Sequence, residues 1–180
     1  MKTSRAFTLI ELLIVIAIIG ILMSLLFPAV NSAIDAARKA QSKNDVTQIA
    51  TAVIAYETEY GKLPTGGASG DVTKDVDGDL MKILTGVTGN TNNPREIVFL
   101  EANQAKRGKS GTNASGAFVD PWSILETGGD TPYKITMDGS YDNSISAGNP
   151  SVPLRKKVAV WSEPKGTTPK QMRRAVTSWD

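Results

Sequence analysis

Carboxylates are the side chains whose chemistry matters most in this chain, because its 180 residues include no His and no Cys. Ser-His-Asp catalysis and His-bound zinc are therefore excluded, and so are disulfides and thiolate metal sites. Chemistry that uses Asp and Glu alone remains open. Two alternating acidic sets and one isolated glutamate are the residues on which such chemistry could rest.

The spacing of Asp138, Ser140 and Asp142 is that of the first ligand positions in an EF-hand calcium loop. Ile145 falls at the eighth position, but the twelfth is Asn149, where that loop has a bidentate Glu. We expect an ordinary Asp/Gly/Asn turn here, with calcium coordination as the alternative.

Asp75, Asp77 and Asp79 form the second alternating set, inside a stretch rich in Gly, Asp and Thr. We expect a solvated loop at this position. No sequence pattern sets a nucleophile beside a base, and no Gly-rich phosphate loop follows a strand. The chain is therefore not expected to be an enzyme or to need a cofactor.

Glu11 is the isolated glutamate, and it precedes 19 residues from Leu12 to Val30 that carry no formal charge. Such a run is about long enough to cross a bilayer as a helix. An ionised group in that setting costs several kcal/mol unless it has a partner. No Lys or Arg lies between Phe7 and Val30 to supply one. Either a cationic partner comes from outside this stretch, or Glu11 lies at the level of the lipid headgroups, four residues into a helix.

The overall charge balance restricts the partners of the chain. The 20 basic and 18 acidic residues give a net charge of +2, and loss of Lys2 and Arg5 would leave 18 of each and a net charge of zero. A balanced chain of this kind argues against nucleic-acid binding through bulk charge. No nucleic-acid partner is expected.

Three interpretations compete for residues 1–30. A cleaved secretory signal has an apolar stretch of only about 7–15 residues, and Pro28-Ala29-Val30 is a poor cleavage site for it. A plain membrane anchor explains the apolar length and keeps Lys2 and Arg5 on the cytoplasmic side, but it does not explain Glu11. The third interpretation explains both features and rests on a family resemblance.

The stretch from Phe7 to Leu22, FTLIELLIVIAIIGIL, strongly resembles the N-terminus of type IV pilins and type II secretion pseudopilins. The resemblance implies cleavage between Ala6 and Phe7 by a prepilin peptidase, with N-methylation of Phe7. The family usually has Gly before this bond, where the chain has Ala6. Glu11 would become the fifth residue of the mature chain, where the family carries its glutamate. In a filament, this carboxylate would meet the Phe7 ammonium of a neighbouring subunit.

A single long helix is predicted over residues 7–60. Beyond the apolar run, five residues recur at alternating intervals of 3 and 4, the spacing of one helix face packed on a core. They are Val46, Ile49, Val53, Tyr56 and Tyr60. Gly61 and Pro64 are expected to end the helix, while Gly20 and Pro28 are weak points within it.

The rest of the chain is expected to form a small antiparallel sheet with large irregular loops, which makes the fold α+β. Residues 134–137 and 156–162 have the composition of strands. Residues 95–106 could form a short strand or a helical turn. Residues 65–78 and 107–116 are loop-like because they are rich in Gly and polar residues.

A short helix over residues 80–84 is predicted after the first of these loops. Asp79 is expected to be its N-cap, and Gly86 is expected to stop it.

A second resemblance, to the C-terminal domain of major pseudopilins, rests on short motifs spread over the globular part. The motifs are Tyr56 to Thr65, Asp120-Pro121-Trp122, Pro132-Tyr133-Lys134-Ile135, Tyr141-Asp142, Val158 to Ser162 and Ser178-Trp179. This resemblance favours a secretion pseudopilin over pilins of adhesion or motility, many of which close a C-terminal loop with a disulfide. Major pseudopilins often bind calcium after the last strand, but Lys165, Lys170, Arg173 and Arg174 stand at that place here, so those ligands are not carried over.

The family resemblance implies three segments: a leader at 1–6, a transmembrane and assembly helix at 7–30, and a periplasmic pilin-like domain at 31–180. The N-terminus would be cytoplasmic in a bacterial inner membrane. Implied partners are prepilin peptidase, other copies of the subunit and an inner-membrane assembly platform. The leading function is a structural subunit of a type II secretion pseudopilus. A type IV pilus subunit and a membrane-anchored binding module are the alternatives.

Overall fold

The structure is a computed structural model that describes residues 8–123, 130–148, 151–163 and 175–179. Within these ranges it has two helices, α1 (Leu9–Tyr60) and α2 (Gly78–Leu84). Eight strands lie in the same ranges: β1 (Val72–Asp75), β2 (Gly111–Thr112), β3 (Phe118–Val119), β4 (Lys134–Met137), β5 (Ile145–Ala147), β6 (Val152–Leu154), β7 (Val158–Ser162) and β8 (Val176–Thr177). The α+β fold class predicted from the sequence is confirmed.

Helix α1 contains 52 residues and runs without interruption through Gly20 and Pro28, the two weak points in its sequence. By its contacts the chain divides into two compact units, Met1–Ala37 and Arg38–Asp180. The first unit holds the apolar part of α1. The segment boundaries proposed from the sequence, at residues 6 and 30, stay predictions.

The second part of α1 packs one face into the core, as its spacing predicts. Val46, Ile49 and Val53 have no exposed surface, and Tyr56 is 1 % exposed. The helix ends at Gly61, whose φ of 69° is unfavourable for any residue with a Cβ. The Gly61 N–H still donates to the Glu57 carbonyl at 2.7 Å, which completes the last turn.

The largest sheet has four strands in the order β1-β4-β7-β8, and all its pairings are antiparallel. Lys134 lies opposite Trp161 and Met137 lies opposite Val158, so β4 is paired along its whole length. β8 covers only the far end of β7, where Thr177 pairs with Trp161. The two strands predicted from the sequence are therefore the central strands of this sheet.

The main core lies where the buried face of α1, helix α2 and the four-stranded sheet meet. Its largest fully buried members outside α1 are Tyr133, Leu80, Leu84, Ile135, Met137 and Val76. A smaller cluster of Ile145, Ala147, Ala159 and Trp161 is extended by Trp179, whose ring packs edge-on against Trp161 at 6.0 Å. β2 pairs with β3 and β5 pairs with β6 in two separate hairpins.

The N-cap of α2 was predicted at the wrong aspartate. Asp77, not Asp79, has the extended backbone of an N-cap, and its Oδ1 accepts from the Leu80 N–H at 2.8 Å. Asp79 lies inside the first turn and pairs with Lys82 at 3.0 Å. Each aspartate directly precedes a possible first helical residue, and a start at Gly78 places Leu80 and Met81 on the helix face that reaches the core.

Two loop predictions and the prediction of a short strand or helical turn also need correction. Residues 65–78 contain β1, because Val72 to Asp75 pair with β4 despite their polar composition. Residues 107–116 contain β2, which pairs with β3. Residues 95–106 form no named strand or helix; backbone bonds from Phe99 and Leu100 to the Leu84 carbonyl hold that stretch beside α2.

Candidate functional site

The start of α1 is built by a reciprocal pair of hydrogen bonds between Thr8 and Glu11. The Glu11 N–H donates to Thr8 Oγ1 at 3.3 Å, while Glu11 Oε2 accepts from the Thr8 N–H at 2.9 Å and from its hydroxyl at 2.7 Å. This arrangement is a capping box, in which the residue before the helix and the third helical residue satisfy each other's backbone donors. A negative charge here is also favoured by the helix dipole.

The capping box gives Glu11 a local partner, Thr8, that was not predicted from the sequence. The signal was present as Thr8-Leu9-Ile10-Glu11, the Thr-x-x-Glu pattern that precedes an apolar run. Among the described residues, the Glu11 carboxylate accepts two hydrogen bonds, both from Thr8 and both at its Oε2 atom. Hydrogen bonds to neutral donors lower the cost of the charge but do not neutralise it, so a cationic partner would stabilise Glu11 further.

The apolar part of α1 has its side chains exposed throughout. Leu9 is 81 % exposed, Leu25 71 % and Val30 44 %. The most apolar 18-residue window has a mean hydropathy of 2.9 and no buried residues within the chain. By length and composition this helix can cross a membrane. The predicted processing residues, Ala6 and Phe7, lie outside the described residues.

Asp138, the first residue of the alternating set, is fully buried and holds its own loop together. Its Oδ1 accepts from the Ser140 hydroxyl at 3.0 Å and from the Asp142 N–H at 3.3 Å, and its Oδ2 accepts from the Asn143 N–H at 2.7 Å. Burial acts to raise the pKa of this carboxyl, but the hydrogen bonds together leave the pKa below its usual value. Tyr141 and Asn143 adopt positive φ to wrap this loop around the carboxylate.

The structure brings Asp138 and Ser140 together but leaves the Asp142 carboxylate apart. Asp142 Oδ1 accepts from the Ser144 N–H at 2.8 Å, which is a second local turn bond. No group of three or more acidic side chains that could hold a metal is found among the residues that the structure describes. The geometry explains the spacing as an aspartate-centred turn, and calcium binding stays a prediction.

The three aspartates of the second acidic set, Asp75, Asp77 and Asp79, each pair with a different lysine. Asp75 pairs with Lys134 at 2.9 Å, and Asp77 pairs with Lys74 at 3.0 Å while capping α2. Because each carboxylate is used in a different contact, these residues do not form one site.

A buried polar group on α1 was not found from the sequence. Asp45 is 8 % exposed, and its Oδ2 accepts from the Tyr133 hydroxyl at 2.9 Å; that hydroxyl also lies 3.1 Å from Ser42 Oγ. Burial raises the pKa of Asp45, although hydrogen bonds from Ser110 and Tyr133 act to lower it. Ser42 and Asp45 continue the buried helix face before Ile49 at steps of three and then four residues, which was the available signal.

A long N-terminal helix that is apolar at its start and packs its end against small antiparallel sheets defines the pilin-like class of proteins. Residues 1–27 match the family model described as Prokaryotic N-terminal methylation motif. Residues 31–125 match a model described as Protein of unknown function (DUF1559).

The chain is also 31% identical, over 142 residues, to the type II secretion system core protein G of Pseudomonas aeruginosa. That alignment covers 67% of this chain and 96% of the relative. No solved structure matches the chain. The chain therefore belongs to the type II secretion pseudopilin family, and its residues 31–125 also belong to the DUF1559 family.

Proposed function

We propose that the chain is a structural subunit of a type II secretion pseudopilus and that it assembles through α1. The proposal is supported by its family, by the methylation motif at residues 1–27 and by the exposed apolar helix surface from Leu9 to Val30. Its contribution to secretion is mechanical and not enzymatic. No step in this role requires a cofactor.

Glu11 carries the mechanistic part of the proposal. Cleavage between Ala6 and Phe7 would create an ammonium group next to Thr8, the residue that caps α1. When helices pack side by side, that ammonium of one subunit can reach the Glu11 carboxylate of another. The ion pair would neutralise both charges in an apolar setting, where each alone costs several kcal/mol. Assembly with the correct stagger is thereby favoured.

The same segment suggests the location of the subunit before assembly. Lys2 and Arg5 precede the apolar run and favour a cytoplasmic N-terminus. The second unit, Arg38–Asp180, would then lie in the periplasm of a bacterium with an inner membrane. The expected partners of this subunit are prepilin peptidase, other pseudopilin subunits and an inner-membrane assembly platform. The alternative function is that of a type IV pilus subunit.

The test is filament assembly by the full chain in a host that supplies prepilin peptidase and a secretion platform. Wild type should start at N-methylated Phe7 by intact mass and should form filaments. Glu11→Ala and Glu11→Gln should still be processed but should lose filaments, because neither variant has a charge to pair with the ammonium.

The matched control is Glu96→Ala, which removes a carboxylate from an exposed loop of the second unit. Wild-type levels of filaments in Glu11→Gln would refute the ion-pair mechanism. A processed wild type that forms no filament would refute the proposed function and would favour a membrane-anchored binding module.

A further inference from the structure

An uncharged stripe runs along the solvent side of α1 over four turns of the second unit. All exposed helix positions between residues 44 and 58 are uncharged: Asn44, Thr47, Gln48, Thr51, Ile54 and Thr58. We name these six residues the neutral stripe. Ile54 at its centre keeps 46 % of its surface exposed. Exposed faces of surface helices ordinarily carry charged residues, so this face is unusual in a chain with 21% charged residues.

The threonines make the neutral stripe still less polar than its composition indicates. The Thr47 hydroxyl donates to the Lys43 carbonyl at 2.9 Å, Thr51 to the Thr47 carbonyl at 2.8 Å, and Thr58 to the Ile54 carbonyl at 2.9 Å. These donors are therefore bonded within the helix. What the threonines present outward for packing is chiefly their methyl groups.

Two grooves flank the neutral stripe and share Thr47 and Thr51. Groove A, of about 660 Å³, lies between α1 and the start of β7, where Lys156, Lys157 and Val158 form its far wall. Groove B, of about 290 Å³, lies between α1 and residues 99–101, which are Phe99, Leu100 and Glu101. The other α1 residues that line groove A lie on one side of the shared threonines, and those that line groove B lie on the opposite side.

The grooves carry opposite unpaired charges. In groove A, Lys157 pairs with Glu57 at 2.7 Å, which leaves Lys156 exposed and without an ion pair among the described residues. In groove B, Glu101 is the one charged residue among those described as lining it, and it has no ion pair within the described parts of the chain. The positive flank of one copy is therefore complementary to the negative flank of another copy.

We propose that the neutral stripe and its grooves form a heterologous contact between copies of this chain, in which Lys156 of one copy faces Glu101 of the next. The inference rests on the proposed filament function, since a filament requires contacts between two different surface patches that repeat without closing. The stripe belongs to the same helix whose apolar part is the assembly element. Burial of the stripe supplies the apolar contact, and the two charges set its register.

Charge reversal in the full chain tests the contact. Lys156→Glu and Glu101→Lys should each lower the yield of filaments about tenfold, which corresponds to about 1.4 kcal/mol per contact. The double variant, Lys156→Glu with Glu101→Lys, should restore the yield because the attraction is re-formed with exchanged signs. The matched control is Lys109→Glu, an exposed reversal in neither groove. Equal thermal unfolding temperatures would show that all four variants are folded.

Three results would overturn the contact. If each single reversal assembles like wild type, the proposed contact is wrong. The filament function would still stand if Glu11→Gln blocks assembly. Single reversals that the double variant does not rescue would show that the charges face another occupant, such as a different subunit or anionic lipid. A wild type that forms no filaments would remove the proposed function and this inference with it.

The absence of Cys in the chain allows a second, independent measurement. A polarity-sensitive dye on Ile54→Cys should shift to the blue when filaments form, because the stripe becomes covered. The control position is Val87→Cys, which has a matching exposure of 47 % against 46 % but lines neither groove. A shift at residue 54 in the membrane-embedded monomer would contradict the proposal, since it would mean that lipid covers the stripe.

Discussion

The Tyr133 hydroxyl lies 2.9 Å from Oδ2 of Asp45 and joins the residue just before strand β4 to the second part of α1. Tyr133 has no exposed surface, and burial raises the pKa of its phenol above its usual value, so the hydroxyl remains a donor. The contact fixes the helix against the sheet by a directional bond inside an otherwise apolar core.

Removal of this hydroxyl should destabilise the second unit. Tyr133→Phe keeps the ring and its packing but takes a donor from a buried carboxyl, which costs about 1–3 kcal/mol. Urea unfolding of the full chain in detergent measures the change. Tyr141→Phe is a control, because that residue is 49 % exposed and its hydroxyl accepts from the Leu63 N–H in a partly buried bond. Equal effects in the two variants would contradict the importance of the buried bond.

The raised pKa of Asp45 predicts a pH dependence of stability. Burial favours the protonated carboxyl in the folded chain. Its contribution to stability is therefore fully present below the unfolded pKa of about 3.9 and is lost as pH rises through the raised folded value. Asp45→Asn cannot ionise, so it should lose less stability than wild type between pH 4 and pH 7. Parallel pH profiles for the two proteins would show that Asp45 does not titrate in this way.

Two isoleucines on α1 allow burial to be compared with exposure in one helix. Ile49 has no exposed surface, whereas Ile54 is 46 % exposed. Ile49→Ala should cost about 2–5 kcal/mol, because it removes buried methyl groups and leaves a cavity. Ile54→Ala should change the free energy of unfolding by no more than about 0.5 kcal/mol in the unassembled chain. A large effect at Ile54 in that state would mean that the stripe is already covered.

The Asp138 loop should be stable without calcium. Asp138 accepts three hydrogen bonds from its own loop, so Asp138→Ala should cost about 1–3 kcal/mol by leaving those donors unpaired. The loss should be equal in EDTA and in millimolar calcium. A thermal unfolding temperature of wild type that rises by several degrees with calcium, and does not rise in Asp142→Asn, would instead establish a calcium site at this loop.

Local patterns in the sequence were sufficient for the long helix and its end. The 3, 4, 3, 4 spacing of Val46 to Tyr60 and the stop at Gly61 depend on helical geometry alone. The two central strands, β4 and β7, were also found, because their apolar residues are dense enough to mark buried strands. Family membership was likewise readable from the residues that follow Ala6.

Tertiary structure decided what local patterns could not distinguish. β1 has the polar composition of a loop, but it forms a strand because β4 offers it a free edge for pairing. Asp77 rather than Asp79 caps α2, because packing against the core determines where the helix begins. The bond between Asp45 and Tyr133 joins residues 88 positions apart, and the grooves beside the neutral stripe are lined by segments more than 40 residues distant in sequence. Such contacts depend on which surfaces come together on folding. A local periodicity in the sequence does not indicate which distant residues will meet.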